Sequence, residues 1–150
     1  MKHWFGFLLA TMSLTVIGCG RAGVERASID GNVSINGQPV ESGSIRFISL
    51  EPGGGPSVGG QIQDGKYDID EQKGPTLGKH RVEVQVPFRT GRKIRSPFAL
   101  PPTNPAEATD PAAMVDEWAE KAPPQYNTKS TLSVTIEPGQ NEHDIEMRSK

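Results

Sequence analysis

The pair Asp64-Gly65 constrains this chain more than any other feature. Asp-Gly is a preferred two-residue hairpin turn, because both central positions need φ > 0. Before the pair stands Gly59-Gly60-Gln61-Ile62-Gln63, and after it Lys66-Tyr67-Asp68-Ile69. Tyr67 and Ile69 alternate with Lys66, Asp68 and Asp70, so one strand face is apolar and the other wet. The rest of the chain reads as further strands packed around this hairpin.

The strand pattern repeats on both sides. Ile29, Val33 and Ile35 mark a first strand, ended by the turn signal Asn36-Gly37 and by Pro39. Ile45 and Phe47 share one face of the next strand, with Arg46 and Ile48 on the other. The run 52–56 (Pro-Gly-Gly-Gly-Pro) excludes regular structure. No Lys-Ser/Thr follows it, so it is not a phosphate loop. From His80 the chain alternates strongly: Val82, Val84 and Val86 point inward, and Arg81, Glu83 and Gln85 outward. Leu132, Val134 and Ile136 share a face, and Ile145 and Met147 point inward on a last strand over residues 142–147.

This gives about seven strands, the count of an Ig-like sandwich. The 17 Gly and 13 Pro among 150 residues suit many short strands and turns better than a helical bundle. The length suits one domain. A formal net charge of −2 provides no global field for nucleic acid. The expected fold is therefore all-β, a seven-stranded sandwich with a long insertion before the last two strands.

The N-terminus reads as a targeting segment. Met1-Lys2-His3 is a short basic start. Residues 4–17 are an uncharged apolar run, of signal-peptide length and short of the ~20 residues of a membrane span. The run ends in Val16-Ile17-Gly18-Cys19, which resembles the bacterial lipobox. That resemblance implies a signal peptide over residues 1–18, lipid attachment at Cys19 and a membrane partner held through the lipid. Cys19 is the single cysteine, so no internal disulfide can form. Residues 19–27 read as a polar tether. Gly20, following the cysteine, fits an outer-membrane address. The expected location is the cell envelope, on the periplasmic face.

Several motifs carry a family resemblance. They are Gly31-Asn32-Val33-Ser34-Ile35-Asn36-Gly37-Gln38-Pro39-Val40, Gly43-Ser44-Ile45-Arg46-Phe47, Asp64-Gly65-Lys66-Tyr67-Asp68-Ile69, and the run 74–86, in that order. With Pro124-Gln125-Tyr126-Asn127 and Pro138-Gly139-Gln140-Asn141, they resemble the carboxypeptidase regulatory-like domain, and most of all its lipid-anchored planctomycete type. The likeness spans most of residues 28–147 outside the middle of 87–123, within a domain over 28–150. It implies a transthyretin-like, Ig-like sandwich. It implies no catalytic activity, since such domains are accessory modules.

In the insertion, residues 87–123, the alternation stops. Arg89, Arg92, Lys93 and Arg95 form a basic cluster. Pro97, Pro101, Pro102 and Pro105 then exclude regular structure. Asp110 reads as an N-cap, with Pro111 at the first position of a short helix over residues 112–121. Met114 and Trp118 would share a face of that helix. A loop this long is either functional or without order of its own. The functional reading is a partner-binding arm formed by the four basic residues and Trp118. The alternative is a solvated loop whose Trp118 caps an open end of the sandwich.

The chain lacks the marks of catalysis. His80 and His143 each read as lying at a strand end or on an outward-facing strand position, no Gly-x-Ser-x-Gly is present, and nothing marks a nucleophile held by a base. No cofactor or metal site is expected. Asp64, Asp68, Asp70 and Glu71 could supply calcium oxygens, but their spacing fits a solvated acidic edge as well. Two function classes stay open. One is a non-catalytic envelope module making contacts through strand edges or the arm, with an envelope protein as partner. The other is a carbohydrate-binding module with a glycan partner. Tyr67 points inward, which leaves Trp118, Tyr126 and a few phenylalanines to stack on sugars. Aromatics do not follow the basic residues at stacking intervals, so no nucleic-acid partner is expected.

Overall fold

The computed structural model describes residues 24–149. The signal-peptide segment, Cys19 and the first part of the tether lie outside the described residues. The described chain is nearly all β. The strands are β1 (Ser28–Ile35), β2 (Gln38–Pro39), β3 (Ser42–Ser49), β4 (Val58–Gln63), β5 (Lys66–Ile69), β6 (Gly78–Gln85), β7 (Pro87–Arg95), β8 (Met114–Glu120), β9 (Ser133–Ile136), β10 (Gln140–Glu142) and β11 (Ile145–Met147). One α-helical turn, α1 (Pro105–Ala108), and a 3-10 turn over Pro111–Ala113 stand between β7 and β8.

Asp64 and Gly65 adopt φ of 49° and 77°, as the turn requires. The flanking strands do not run on as one hairpin. Their register holds a single pair, Gln63↔Lys66. Beyond it they part, so that the continuous hydrogen-bonded sheet β10-β1-β5-β4-β3-β6-β9 folds over at this corner into two curled layers. β4 joins the antiparallel set β4-β3-β6-β9, and β5 joins β1. The turn is thus the corner where the chain crosses from one sheet to the other.

β1 is the spine of the second sheet. Its first half pairs in parallel with β10, Ser28↔Gln140 to Asp30↔Glu142. Its second half pairs in parallel with β11, Val33↔Ile145 to Ile35↔Met147. The expected single last strand is therefore two, split where the backbone turns away at His143 and Asp144. The Asp144 carboxylate fills the gap by accepting from the Asn32 backbone N–H at 2.7 Å. The hydrogen bonds from Asn32, the backbone one first, hold the Asp144 carboxyl below its ordinary range.

The core lies between the sheets. Ile45, Phe47, Ile62, Val82, Val84 and Ile136 come from one; Ile29, Val33, Tyr67, Ile69, Ile145 and Met147 from the other, all buried. Phe47 and Tyr67 meet across the gap with ring centres 6.0 Å apart and planes tilted by 41°, an arrangement favoured by aromatic quadrupoles. Tyr67 points inward as its alternation predicts.

His80 corrects the sequence reading. It is 1% exposed, on the same inward phase as Val82 and Val84. Its ring is accommodated by polar partners: Nδ1 lies 3.1 Å from the Gly78 carbonyl and Nε2 3.4 Å from the Thr76 hydroxyl. That hydroxyl in turn donates to the Gly54 carbonyl at 2.6 Å. Buried and enclosed by loop backbone, His80 knits the 51–55 and 70–78 loops together.

Strand directions define two poles about 26 Å apart, the rise of an eight-residue strand. At one pole residues 25–27 are sewn to the 74–77 loop: Ala27 N–H donates to Pro75 C=O at 3.1 Å and Leu77 N–H to Glu25 C=O at 3.3 Å. The 137–139 turn joins them through Ser28 N–H to Gly139 C=O at 3.1 Å. At the other pole lie the turns at 36–41 and 64–65, tied by Gly65 N–H to Val40 C=O at 2.7 Å. β6 ends at this second pole, and the insertion leaves from there.

Candidate functional site

The insertion is a two-stranded antiparallel arm, β7 with β8, forming a sheet of its own. This overturns the expected helix over residues 112–121. Asp110 does cap a turn, accepting from Ala112 N–H at 2.9 Å with Pro111 at the first position. That turn is a 3-10 turn three residues long, and the chain is extended from Met114 onward. Met114 and Trp118 still share a face, because a spacing of four is also even in a strand.

The arm is fastened at its root and at its far end. At the root, Glu120 Oε1 accepts from both Val86 N–H and Ala122 N–H at 2.7 Å. At the far end, Ser96 N–H donates to Ala113 C=O at 2.8 Å. The Arg95 guanidinium there donates to the carbonyls of Leu100 and Glu107, clasping the 96–113 loop. Asn104 caps α1, and Glu107 reaches back to Thr103 N–H at 2.8 Å. The Thr103 hydrogen bonds, backbone first, lower the Glu107 pKa. Phe98 and Leu100 stand out from this loop at 96% and 84% exposure.

Register assigns the side chains to two faces. Arg89↔Trp118, Lys93↔Asp116 and Arg95↔Met114 are directly opposite pairs and lie on one face. Phe88↔Ala119 and Ile94↔Val115 lie on the other. Between Arg89 and Lys93 the register shifts, so that residues 90–92 stand against Glu117 alone. Gly91, at φ 81°, lets the backbone turn through this bulge. Glu117 fills it. Arg92 Nε and Nη2 donate to its two carboxylate oxygens at 2.8 Å each, and the Thr90 hydroxyl donates at 2.6 Å. The Thr90 and Arg92 hydrogen bonds hold the Glu117 carboxyl below its usual range.

All four basic residues singled out in the sequence are therefore on β7, and the acidic stretch of the insertion folds back onto them. Lys93 Nζ lies 2.8 Å and Arg89 Nη1 3.5 Å from the Asp116 carboxylate. The Lys93 hydrogen bond is the main cause of the lowered Asp116 pKa. The Arg89 guanidinium also sits over the Trp118 ring, 5.1 Å from its centre, a cation–π contact. Trp118 is 56% exposed and caps no end of the sandwich. On its face stand three cations and two carboxylates, Asp116 and, at the root, Glu120, whose Oε1 accepts from backbone N–H groups.

Where the arm meets the body, a groove of about 340 Å³ opens between Pro87 and Phe88 on one side and Ile35, Pro39 and Val40 on the other. The calcium candidates are dispersed. Asp64 is in the corner turn, Asp68 in β5, and Asp70 and Glu71 in the loop after β5. Asp70 caps that loop by accepting from Lys73 N–H at 2.9 Å. Among the described residues, no group of three or more His, Cys, Asp or Glu is placed to hold a metal ion. None of their helices is long and apolar enough to cross a membrane.

The ribbon itself escaped the sequence reading. One signal was present in the even spacing of Phe88 and Ile94, which share a face, but Val115 and Trp118 are three apart and fall on opposite faces.

No family model matches the chain. No curated protein matches it either. Among solved structures it is similar to a DUF3823 family protein from Parabacteroides merdae, at 14% identity and a TM-score of 0.39. The match covers 83% of this chain and 46% of that one, so the chain spans less than half of that protein's length.

Proposed function

We propose that this chain is a lipid-anchored, non-catalytic envelope β-sandwich of the carboxypeptidase regulatory-like kind, and that its β7–β8 arm is the element that contacts another molecule. One observation carries the reading. The arm leaves the body at the pole opposite residues 24–27, where the tether enters. A lipid at Cys19 would hold the tether pole to the membrane, and the arm would then point away from it. The arm also has the composition of a contact surface, with half-exposed aromatic and aliphatic side chains beside arginines.

A second reading, binding of an envelope glycan, is favoured by the exposure of Trp118 at 56%. Glycan platforms pair stacking aromatics. On this face of the arm Trp118 has Pro87, Arg89, Lys93, Arg95, Glu120, Asp116 and Met114 near its register, none of them aromatic, and Phe88 lies on the opposite face. Contact with a protein is the better supported reading.

The test is in-cell crosslinking of the full chain with mass spectrometry, compared with a variant in which residues 88–119 are replaced by a short glycine turn. The expected result is repeated arm crosslinks to one protein, lost in the shortened variant while membrane retention persists. Retention of the same crosslinks without the arm would contradict the reading. A Cys19→Ala variant that stayed in the membrane fraction at unchanged mass would contradict the anchor.

A further inference from the structure

A two-stranded ribbon is marginal on its own in water, and independent stability takes a third strand or a packed face. The β7–β8 arm has two outer edges, and the backbone phase of β8 follows from bonds already in place. In an antiparallel strand the N–H and C=O of one residue point to the same side, and successive residues alternate sides. Lys121 N–H donates to Val86 C=O at 3.0 Å, the Glu117 carbonyl accepts from the Thr90 hydroxyl at 3.5 Å, and Ala113 C=O accepts from Ser96 N–H at 2.8 Å. Residues 113, 117 and 121 therefore face β7, and so do 115 and 119. The backbone N–H and C=O groups of Asp116, Trp118 and Glu120 point the other way. Among the described residues those groups have no hydrogen-bond partner.

The two edges of the arm differ. β7 carries what natural sheets use to blunt an edge: Pro87 without an N–H, the bulge at residues 90–92, and the charges of Arg89, Lys93 and Arg95. β8 runs seven residues without a proline, a bulge or a cation. The sandwich offers no comparable edge. β9 is four residues long, and β10 and β11 are three each, with the break at His143 and Asp144 between them.

We infer that the outer edge of β8 accepts an extended basic segment of another protein as a third strand of the arm. The inference rests on the arm being the contact element. The open backbone row selects an extended chain, which matches its donors and acceptors along the edge. The side chains select the charge of that chain. β8 bears Asp116, Glu117 and Glu120 and no cation. Asp116, Trp118 and Glu120 share one face, so an added strand sets alternate residues beside them. Opposite charges across a strand pair are favourable, as are aromatic or β-branched partners for an aromatic. The matching segment therefore reads cation, any residue, aromatic or β-branched residue, any residue, cation. A second β8 is a poor match, since it brings three carboxylates and no cation to three carboxylates. β7 of a second copy is basic, but its bulge and Pro87 break the row.

The test uses the full chain in living cells, with a photoreactive amino acid at Met114, the far end of the β8 edge. Adducts are identified by mass spectrometry in the parent, in Asp116→Ala and in Asp116→Pro. Both variants lose the carboxylate, and only the proline also loses the outward N–H. The proline spares the ladder to β7, in which the backbone of residue 116 makes no bond. The expected result is one partner protein, attached within a segment of the stated pattern. Adduct is expected to fall in Asp116→Ala, and roughly tenfold further in Asp116→Pro, the effect of one lost hydrogen bond. Amide exchange at Val115 and Ala119 of the purified chain should match between the two variants, because the arm is still formed. Equal adduct from both variants, with exchange matched, would overturn strand addition. Attachment within an acidic or helical segment would contradict the inference whatever the variants do. Adducts to a second copy of the chain would rule out the foreign partner. Protein adducts from a photoreactive residue at Phe98, with none from Met114, would remove the edge and leave the arm as the contact element. No protein adduct from either position would overturn both.

Discussion

Arg92 and Glu117 meet through two parallel 2.8 Å hydrogen bonds inside the one irregularity of the arm. The pair fastens a bulge in which three residues of β7 face one of β8. Both side chains are solvent-accessible, so the pair fixes local geometry more than global stability. The Glu117 pKa is lowered by the Thr90 hydrogen bond and then by Arg92. An unfolded glutamate titrates near 4.3. With the folded value below that, the contribution is complete above about pH 4.3 and is lost as pH falls through the folded pKa.

The consequence is local. Glu117→Ala is expected to leave the melting temperature of the body nearly unchanged and to raise amide exchange at residues 89–93 and 115–119. In the unsubstituted chain the same amides should lose protection only as pH falls below about 4. Hydrogen exchange with mass spectrometry checks both statements. Unchanged exchange in the variant would contradict the role given to the pair.

Gly31 occupies a place no side chain can share. A Cβ there would lie 2.2 Å from the His143 carbonyl oxygen, which belongs to backbone and cannot swing away. Gly31→Ala is expected to push β1 off the β10–β11 junction and to cost about 3 kcal/mol or more, the upper range of overpacking. Gly37, whose Cβ would meet nothing within 4 Å, is the control, although its φ of 80° makes Gly37→Ala mildly costly. Equal effects of the two in urea denaturation would argue against the close approach.

The same carbonyl accepts the Tyr67 hydroxyl at 2.7 Å. Burial raises the Tyr67 pKa well above its ordinary value, with Asp30 and then Asp144 adding to the shift. Unfolded tyrosine ionises near 10. The neutral hydroxyl thus stabilises the fold fully below about pH 10, and that stabilisation is lost as pH rises towards the folded value. Tyr67→Phe is expected to cost about 1 kcal/mol at neutral pH and to flatten part of the alkaline fall in stability. Melting curves from pH 8 to 11 would show it. A variant as alkali-sensitive as the parent would contradict the assignment.

Much of this fold was legible from residue order, because a buried face writes itself into a strand with a period of two. Asp64-Gly65 marked its turn, and Val82 and Val84, with Val86 just past the strand's end, marked the inward phase of β6. His80 shares that phase, and its polarity concealed the fact. The arm was not legible for a physical reason. A ribbon with no core behind it has no constantly dry face, so charges occupy both sides of β8 and erase the alternation. Its bulge shifts the register between Arg89 and Lys93 as well. The four-residue spacing of Met114 and Trp118 serves a helix and a strand equally. Asp110 and Pro111 do begin a helical turn, but nothing after Ala113 rewards continuing it. The basic cluster was visible; its partners, Asp116 and Glu117, are about twenty-five residues away and became neighbours only through the ribbon.

The central claim is that the two poles face different surroundings, membrane at the tether and a partner at the arm. A photoreactive amino acid placed at Lys73, and separately at Phe98, in the full chain in living cells tests this most directly. Lys73 lies beside the tether pole, and Phe98 stands 96% exposed in the loop that joins the arm's two strands. The account predicts lipid adducts from position 73 and protein adducts, without lipid, from position 98. Lipid adducts from position 98 would contradict it, by laying the arm on the membrane.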